Sequence, residues 1–222
     1  MRILLAGATG LVGQGVLREC LRAADVTHVT ALGRRPSGQS DPKLADPKVN
    51  DLVVPDFTDL GAIEDRLRPF DACLYCAGVM PGLSETEFRH VTLELTMNVA
   101  RTVARLNPRI TLAYVSGALS NPDSHLMPLR VKGETERALA ALPIRTVMFR
   151  PGGVQPVEGV HSPHAGRDTL YRLVGPLMGL GVNLAPDMMT TTQRVGRAML
   201  AVLRQGDPPA VVENAEINRL GA

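Results

Sequence analysis

A chain of 222 residues is longer than the commonest domain yet within reach of one α/β unit, and 45% hydrophobic with 21% charged residues excludes a disordered or low-complexity chain. With 24 basic against 22 acidic side chains, the formal charge of +2 is too balanced for the dense positive field of sequence-independent nucleic-acid binding, so no nucleic-acid partner is expected. Aromatic residues make up only 3% and tryptophan is absent, which leaves an aliphatic core.

In chain order, RILLA reads as the first strand, and Val12, Val16, Cys20 and Leu21 then recur on one face of a helix ending near Ala23. VTHVTALG is the second strand and DLVVPD the third, with Thr58 placed to cap the helix after it. CLYCA, apolar throughout, is the fourth strand, as expected where a sheet is covered on both faces. Cys73 and Cys76 fall in that run, and a spacing of three along a strand sends the two thiols to opposite faces. The pair is therefore read as structural rather than as a metal or redox motif.

Ser84 with Glu87 forms a capping box that opens a long helix towards Leu106. TLAYVS is the fifth strand, Pro128 sits in the first turn of a helix bearing Lys132, and RTVMFR is the sixth strand. Beyond Pro151 the alternation loosens into Gly- and Pro-rich loops, a helix from Arg167 to about Met178, a helix in QRVGRAMLAVLRQ and a final strand in AVVENAEI. The uncharged stretch from Leu173 to Pro186 is shorter than a membrane span and broken by Gly and Pro; it reads as a lid over an apolar pocket, and no membrane span is expected.

Strands alternating with helices in this way predict an α/β fold, a doubly wound parallel sheet with helices on both faces. One domain is expected over residues 1–222, with a cofactor-binding core at 1–154 and the substrate side built from 155–222. Three cysteines and an N-terminus, MRILLAGATG, without a secretory leader indicate a reducing compartment, for which the cytoplasm is the expectation.

GATGLVG, residues 7–13, lies between the first strand and the first helix. Glycines there let the backbone approach a pyrophosphate, whose charge is met by free N–H groups and the positive end of the helix dipole. At the end of the second strand, where a carboxylate would select NAD by holding the ribose, the chain has Gly33, Arg34 and Arg35. Guanidinium groups at that point pair with a 2′-phosphate, so NADP(H) is expected in preference to NAD(H).

GATGLVG, the aspartate in VVPDF, CAG after the fourth strand, VSG after the fifth, VKGETE in the next helix and RPGGV after the sixth together resemble the short-chain dehydrogenase/reductase superfamily. The G-x-x-G-x-x-G spacing, with VTLELTMNVAR in the long helix, is more similar to its extended and atypical branch of epimerase/dehydratase and NAD(P)H-binding proteins. The resemblance covers residues 1–154 and implies a Rossmann-type fold. It implies that Gly7, Thr9, Gly10, Leu11, Val12 and Gly13 line the pyrophosphate, and that Arg34 and Arg35 meet the ribose phosphate. Asp56 and Phe57 would lie at the adenine, and Cys76, Ala77 and Gly78 along the nicotinamide-side ribose. Pro151, Gly152, Gly153 and Val154 would close over the nicotinamide.

In that superfamily a tyrosine four residues before the helix lysine moves the proton and a serine after the fifth strand orients the carbonyl. Counted back from Lys132, the tyrosine position holds Pro128. Ser116 ends the strand, whereas the superfamily's hydroxyl often falls one or two residues later, at Gly117 or Ala118 here. Lys132 is matched, with the ribose hydroxyls as its remaining partners. His125 and Tyr171 are the candidate replacement acids. Tyr75 and Tyr114 read as structural, and His161 and His164 as loop residues rather than metal ligands.

Two functions follow from this pattern. One is an atypical NADP(H)-dependent oxidoreductase acting on a small, fairly apolar carbonyl or alcohol. The other is a non-catalytic NAD(P)H-binding sensor that reports nucleotide state to a partner. An epimerase or dehydratase using bound NAD⁺ is disfavoured by Pro128 and by the arginine pair. The resemblance leaves a homodimer through the long helices open.

Overall fold

The computed structural model describes residues 1–38, 48–79, 82–157 and 188–222. Those residues form one seven-stranded sheet, β1 (Arg2–Ala6), β2 (His28–Gly33), β3 (Val49–Val53), β4 (Ala72–Tyr75), β5 (Thr111–Val115), β6 (Arg145–Arg150) and β9 (Val211–Glu213), and one two-stranded sheet, β7 (Gly153–Gln155) with β8 (Met189–Thr191). The large sheet is parallel throughout, in the order β3-β2-β1-β4-β5-β6-β9. The order reverses between β1 and β4, and the carboxyl ends of those two strands therefore flank a crevice, the usual ligand position in such sheets.

Successive residues of the central strands alternate between two apolar layers, which is why those strands read as continuous hydrophobic runs. Leu4, Ala6, Leu32, Cys73, Tyr75, Leu112 and Tyr114 face a layer made with Val99, Ala100 and Val103 of α3 (Leu95–Leu106) and Leu139 of α4 (Met127–Ala140). Ile3, Leu5, Val29, Ala31, Leu74, Ala113 and Phe149 face the opposite layer, with Val16, Leu17 and Cys20 of α1 (Leu11–Arg22) and Val195, Ala198, Met199 and Val202 of α5 (Thr192–Leu203). Cys73 and Cys76 accordingly belong to opposite layers, and burial pushes the thiols of Cys20 and Cys73 up to about 12 and that of Cys76 higher still.

Helices α1 and α5 approach closely because glycine faces glycine: a Cβ on Gly15 would lie 2.5 Å from Thr192 Cβ, and one on Gly196 would lie 3.1 Å from the Gly15 carbonyl oxygen. The Ser84–Glu87 capping box is present and opens the short helix α2 (Glu85–Arg89). The chain then passes through one π-turn, His90–Glu94, into α3, so the single long helix expected from Ser84 to Leu106 is bulged near its start.

Three expected elements differ. β3 begins and ends earlier than DLVVPD, because its register against β2 runs from Val29 opposite Val49 to Gly33 opposite Val53, and β2 ends there. Thr58 does not cap a helix: the following 3-10 helix, Gly61–Leu67, is preceded by Asp56 accepting from the Thr58 amide (2.6 Å) and Asp59 from the Gly61 amide (2.8 Å). AVVENAEI is a strand only over β9, which pairs with Met148–Arg150, and continues as helix α6 (Asn214–Leu220). The helix expected from Arg167 and the lid expected from Leu173 to Pro186 lie outside the described residues.

Candidate cofactor site

At the head of the crevice, Gly7 takes φ +82°, and a Cβ there would sit 2.5 Å from the Ala77 amide nitrogen. Only glycine fits both the left-handed backbone and the approach of the loop after β4. The turn closes with the Gly10 amide donating to the Gly7 carbonyl (3.0 Å) and Gln14 Nε2 to the Thr9 carbonyl (3.0 Å). Gly13 lets α1 lie directly on the turn, since a Cβ there would fall 2.0 Å from the Gly7 oxygen. α1 starts at Leu11 with Gly10 as its N-cap, no side chain capping it and no acidic residue in its first turn. The amides of Leu11, Val12 and Gly13 therefore point out of the helix end with its partial positive charge, a setting for a phosphate group.

Arg34 and Arg35 follow β2, both exposed, and neither makes a hydrogen bond or ion pair among the described residues. Asp51 holds this loop by accepting from the Ser37 amide (3.0 Å). After β3, Phe57 is buried in the core rather than exposed, and the Asp56 carboxylate is turned onto the Thr58 amide, which holds it below the usual carboxylate range. Asn98 of α3 donates to the carbonyls of Phe57 (2.6 Å) and Thr58 (2.9 Å) and so pins this loop. The expectation missed Asn98, although it lies within the quoted VTLELTMNVAR. Cys76, Ala77 and Gly78 follow β4; Ala77 backs Gly7, and Gly78 is exposed with open space where a Cβ would be.

On the far side, Lys132 Nζ donates to the Ser116 carbonyl at 2.7 Å, and a Cβ on Gly117 would lie 2.9 Å from that nitrogen. Burial lowers the Lys132 pKa, with Glu136 acting in the opposite direction. The Ser116 hydroxyl is buried and pairs with the Ser120 hydroxyl (2.9 Å), which donates to the Gly117 carbonyl (2.7 Å). Within this turn Leu119 adopts φ 62°, a left-handed conformation that costs an L-residue about 1–2 kcal/mol. Pro128 occupies the first turn of α4. His125 is exposed in the preceding loop, where its carbonyl accepts from Arg130 Nη1. Tyr171, His161 and His164 lie outside the described residues. Tyr75 and Tyr114 are buried against each other, ring centroids 6.0 Å apart, with burial raising both phenols, so neither is poised to exchange a proton with the crevice.

Pro151–Val154 leaves the end of β6 beside the loop whose Ser116 carbonyl receives Lys132. Arg150 pairs with Glu136 (2.5 Å) and Glu213 (2.9 Å), and the Ala118 amide donates to the Pro151 carbonyl (2.9 Å). A Cβ on Gly152 would lie 2.2 Å from the Met188 oxygen, so the turn runs hard against the segment entering β8.

A parallel sheet of this order with a glycine turn at its first switch point defines an NAD(P)-binding domain of the Rossmann type. The chain belongs to the NAD dependent epimerase/dehydratase family, whose sequence model matches residues 3–138. This agrees with the resemblance to the short-chain dehydrogenase/reductase superfamily. Among curated relatives, "Protein FMP52, mitochondrial" of Kluyveromyces lactis is 30% identical, with 69% of this chain and 67% of that protein covered. The protein of the same name from Meyerozyma guilliermondii is 25% identical over 68% of this chain and 64% of its own length, so the chain spans less than two thirds of that relative.

Three solved structures share the fold. The PhqB reductase domain from Penicillium fellutanum matches with TM-score 0.70 at 18% identity, covering 95% of this chain and 66% of that one. Yeast methylglyoxal/isovaleraldehyde reductase Gre2, complexed with NADPH, matches with TM-score 0.69 at 15% identity, covering 96% and 78%. DesIV, a dTDP-glucose 4,6-dehydratase from Streptomyces venezuelae with NAD bound, matches with TM-score 0.67 at 15% identity, covering 95% and 74%.

The cytoplasmic expectation is corrected by these relatives, four of which are named as mitochondrial proteins. Reduced cysteines report on redox poise and do not distinguish one reducing compartment from another. No helix among the described residues is long and apolar enough to cross a membrane.

Proposed function

We propose that the chain binds NADP(H) in preference to NAD(H) and exchanges hydride with a small, fairly apolar carbonyl or alcohol. The observation that carries the cofactor preference is the pair of exposed guanidinium groups, Arg34 and Arg35, without an ion-pair partner among the described residues, at the strand end where a carboxylate would hold a ribose diol. The first-turn amides of α1 take the diphosphate, Asn98 fixes the loop at the adenine end, and Lys132 keeps N–H groups beyond its bond to Ser116 for the nicotinamide ribose. Residues 1–154 supply these contacts, and the chain beyond them supplies the substrate side.

The bound dinucleotide supplies the hydride. This chain's residues hold the cofactor, keep Lys132 desolvated beside Gly117, and leave the proton to His125, Tyr171 or water. Pro128, which has no ionisable group, and the inward-facing Ser116 hydroxyl favour a second reading, a sensor that binds NADPH without turnover.

Consumption of NADPH by the purified protein across a panel of short aliphatic and aromatic aldehydes separates the two. Turnover that Lys132→Ala lowers by about 10²-fold supports the reductase. Tight binding with no consumption supports the sensor.

A further inference from the structure

We propose that Asn214 is a positioning residue for the nicotinamide end of the crevice, fixing the Gly152 amide and with it the turn Pro151–Val154; this rests on the cofactor reading above. Asn214 opens α6 and is 3% exposed. A buried carboxamide must spend its donors and its acceptor inside the protein. Asn214 Oδ1 accepts from the Gly152 amide at 2.8 Å, and its Nδ2 donates to the Met189 carbonyl at 3.0 Å. One side chain thus ties the turn after β6 to β8.

Asn218, one helical turn further along α6, repeats the grip from behind. Its Nδ2 donates to the same Met189 carbonyl (2.8 Å), while its Oδ1 accepts from Thr190 Oγ1 (2.8 Å) and Arg194 Nη1 (3.3 Å). The turn is then zipped to β8, with the Gly153 amide donating to the Met188 carbonyl at 2.8 Å. On its other side the Pro151 carbonyl accepts from Ala118, next to the loop whose Ser116 carbonyl receives Lys132 Nζ. Arg150 anchors the start of the turn between Glu136, one turn of α4 beyond Lys132, and Glu213, the neighbour of Asn214.

Asn214 of α6 therefore joins the Gly152 amide of this turn to the Met189 carbonyl of β8, so the orientation of residues 151–154 depends in part on a helix far away in sequence. None of these bonds reaches Gly7–Gly13 or Arg34 and Arg35. A loosened turn is expected to weaken the nicotinamide half of the ligand and to spare the adenosine half.

Calorimetry with NADPH and with 2′,5′-ADP, which carries the adenosine half alone, tests this on the full chain. Asn214→Ala is expected to lose about tenfold in NADPH affinity, the equivalent of one hydrogen bond, with 2′,5′-ADP binding unchanged. Asn214→Asp, which keeps an acceptor for the Gly152 amide, is expected to recover most of that loss. Should the alanine variant fail to fold, Asn214→Gln makes the same comparison, with about a threefold loss expected for NADPH alone.

If wild type binds both ligands and the variants bind NADPH as wild type does, or lose both ligands equally, the positioning role is overturned while the cofactor reading stands. If wild type binds neither ligand, the cofactor reading fails and this role with it.

Discussion

Between β1 and α1 the crevice is defined by backbone: the turn of Gly7, the first amides of α1, and a helix that reaches the strand only because Gly13 carries no side chain. After β5 and β6 it depends on side chains, with Lys132 on a carbonyl, Arg150 between two glutamates and Pro128 where the superfamily's phenol would stand. A backbone cradle tolerates almost no substitution, so it persists whatever the chemistry. A side-chain site can keep its architecture and change its reaction through one residue.

The comparison can be broken most severely at the cradle. Gly13→Ala drives a Cβ to 2.0 Å from the Gly7 oxygen, and we expect a stability loss of about 3 kcal/mol or more by chemical denaturation, with dinucleotide binding abolished. An alanine tolerated with normal binding would mean that the close approach is not essential.

At the other end, Pro128→Tyr restores a phenol one helical turn before Lys132. If proton transfer limits the reaction, single-turnover reduction of an aldehyde by NADPH should accelerate by about 10²-fold. An unchanged rate would place the limitation elsewhere. A smaller effect is expected at Asn98, whose side chain only pins the loop at Phe57 and Thr58: Asn98→Ala should weaken NADPH and 2′,5′-ADP alike by about fivefold in calorimetry, about 1 kcal/mol.

The same division explains what the sequence disclosed. Gly7 and Gly13 were legible because only glycine satisfies the conformation and the contact, and the Ser84–Glu87 box because both of its partners lie within one turn. The central strands were legible because burial on both faces makes them uniformly apolar. The limits of β3 were not, since they follow from register against β2, nor was the end of β9, whose pairing with β6 stops after three residues. β7 and β8 left no local signal, because three-residue strands acquire their identity from each other across a long separation. Asn98 and Asn214 escaped notice for a related reason: their partners are carbonyls and amides about 40 and 62 positions away, and nothing in their neighbours reveals this.

The central claim is that the loop after β2 recognises a 2′-phosphate, and titrating wild type and Arg34→Glu with NADPH and NADH addresses it directly. We expect NADPH to bind wild type more tightly than NADH, and Arg34→Glu to weaken NADPH by at least about tenfold, one lost charge-assisted bond, while NADH changes little. Equal affinities in wild type, or equal losses for both dinucleotides in the variant, would contradict it.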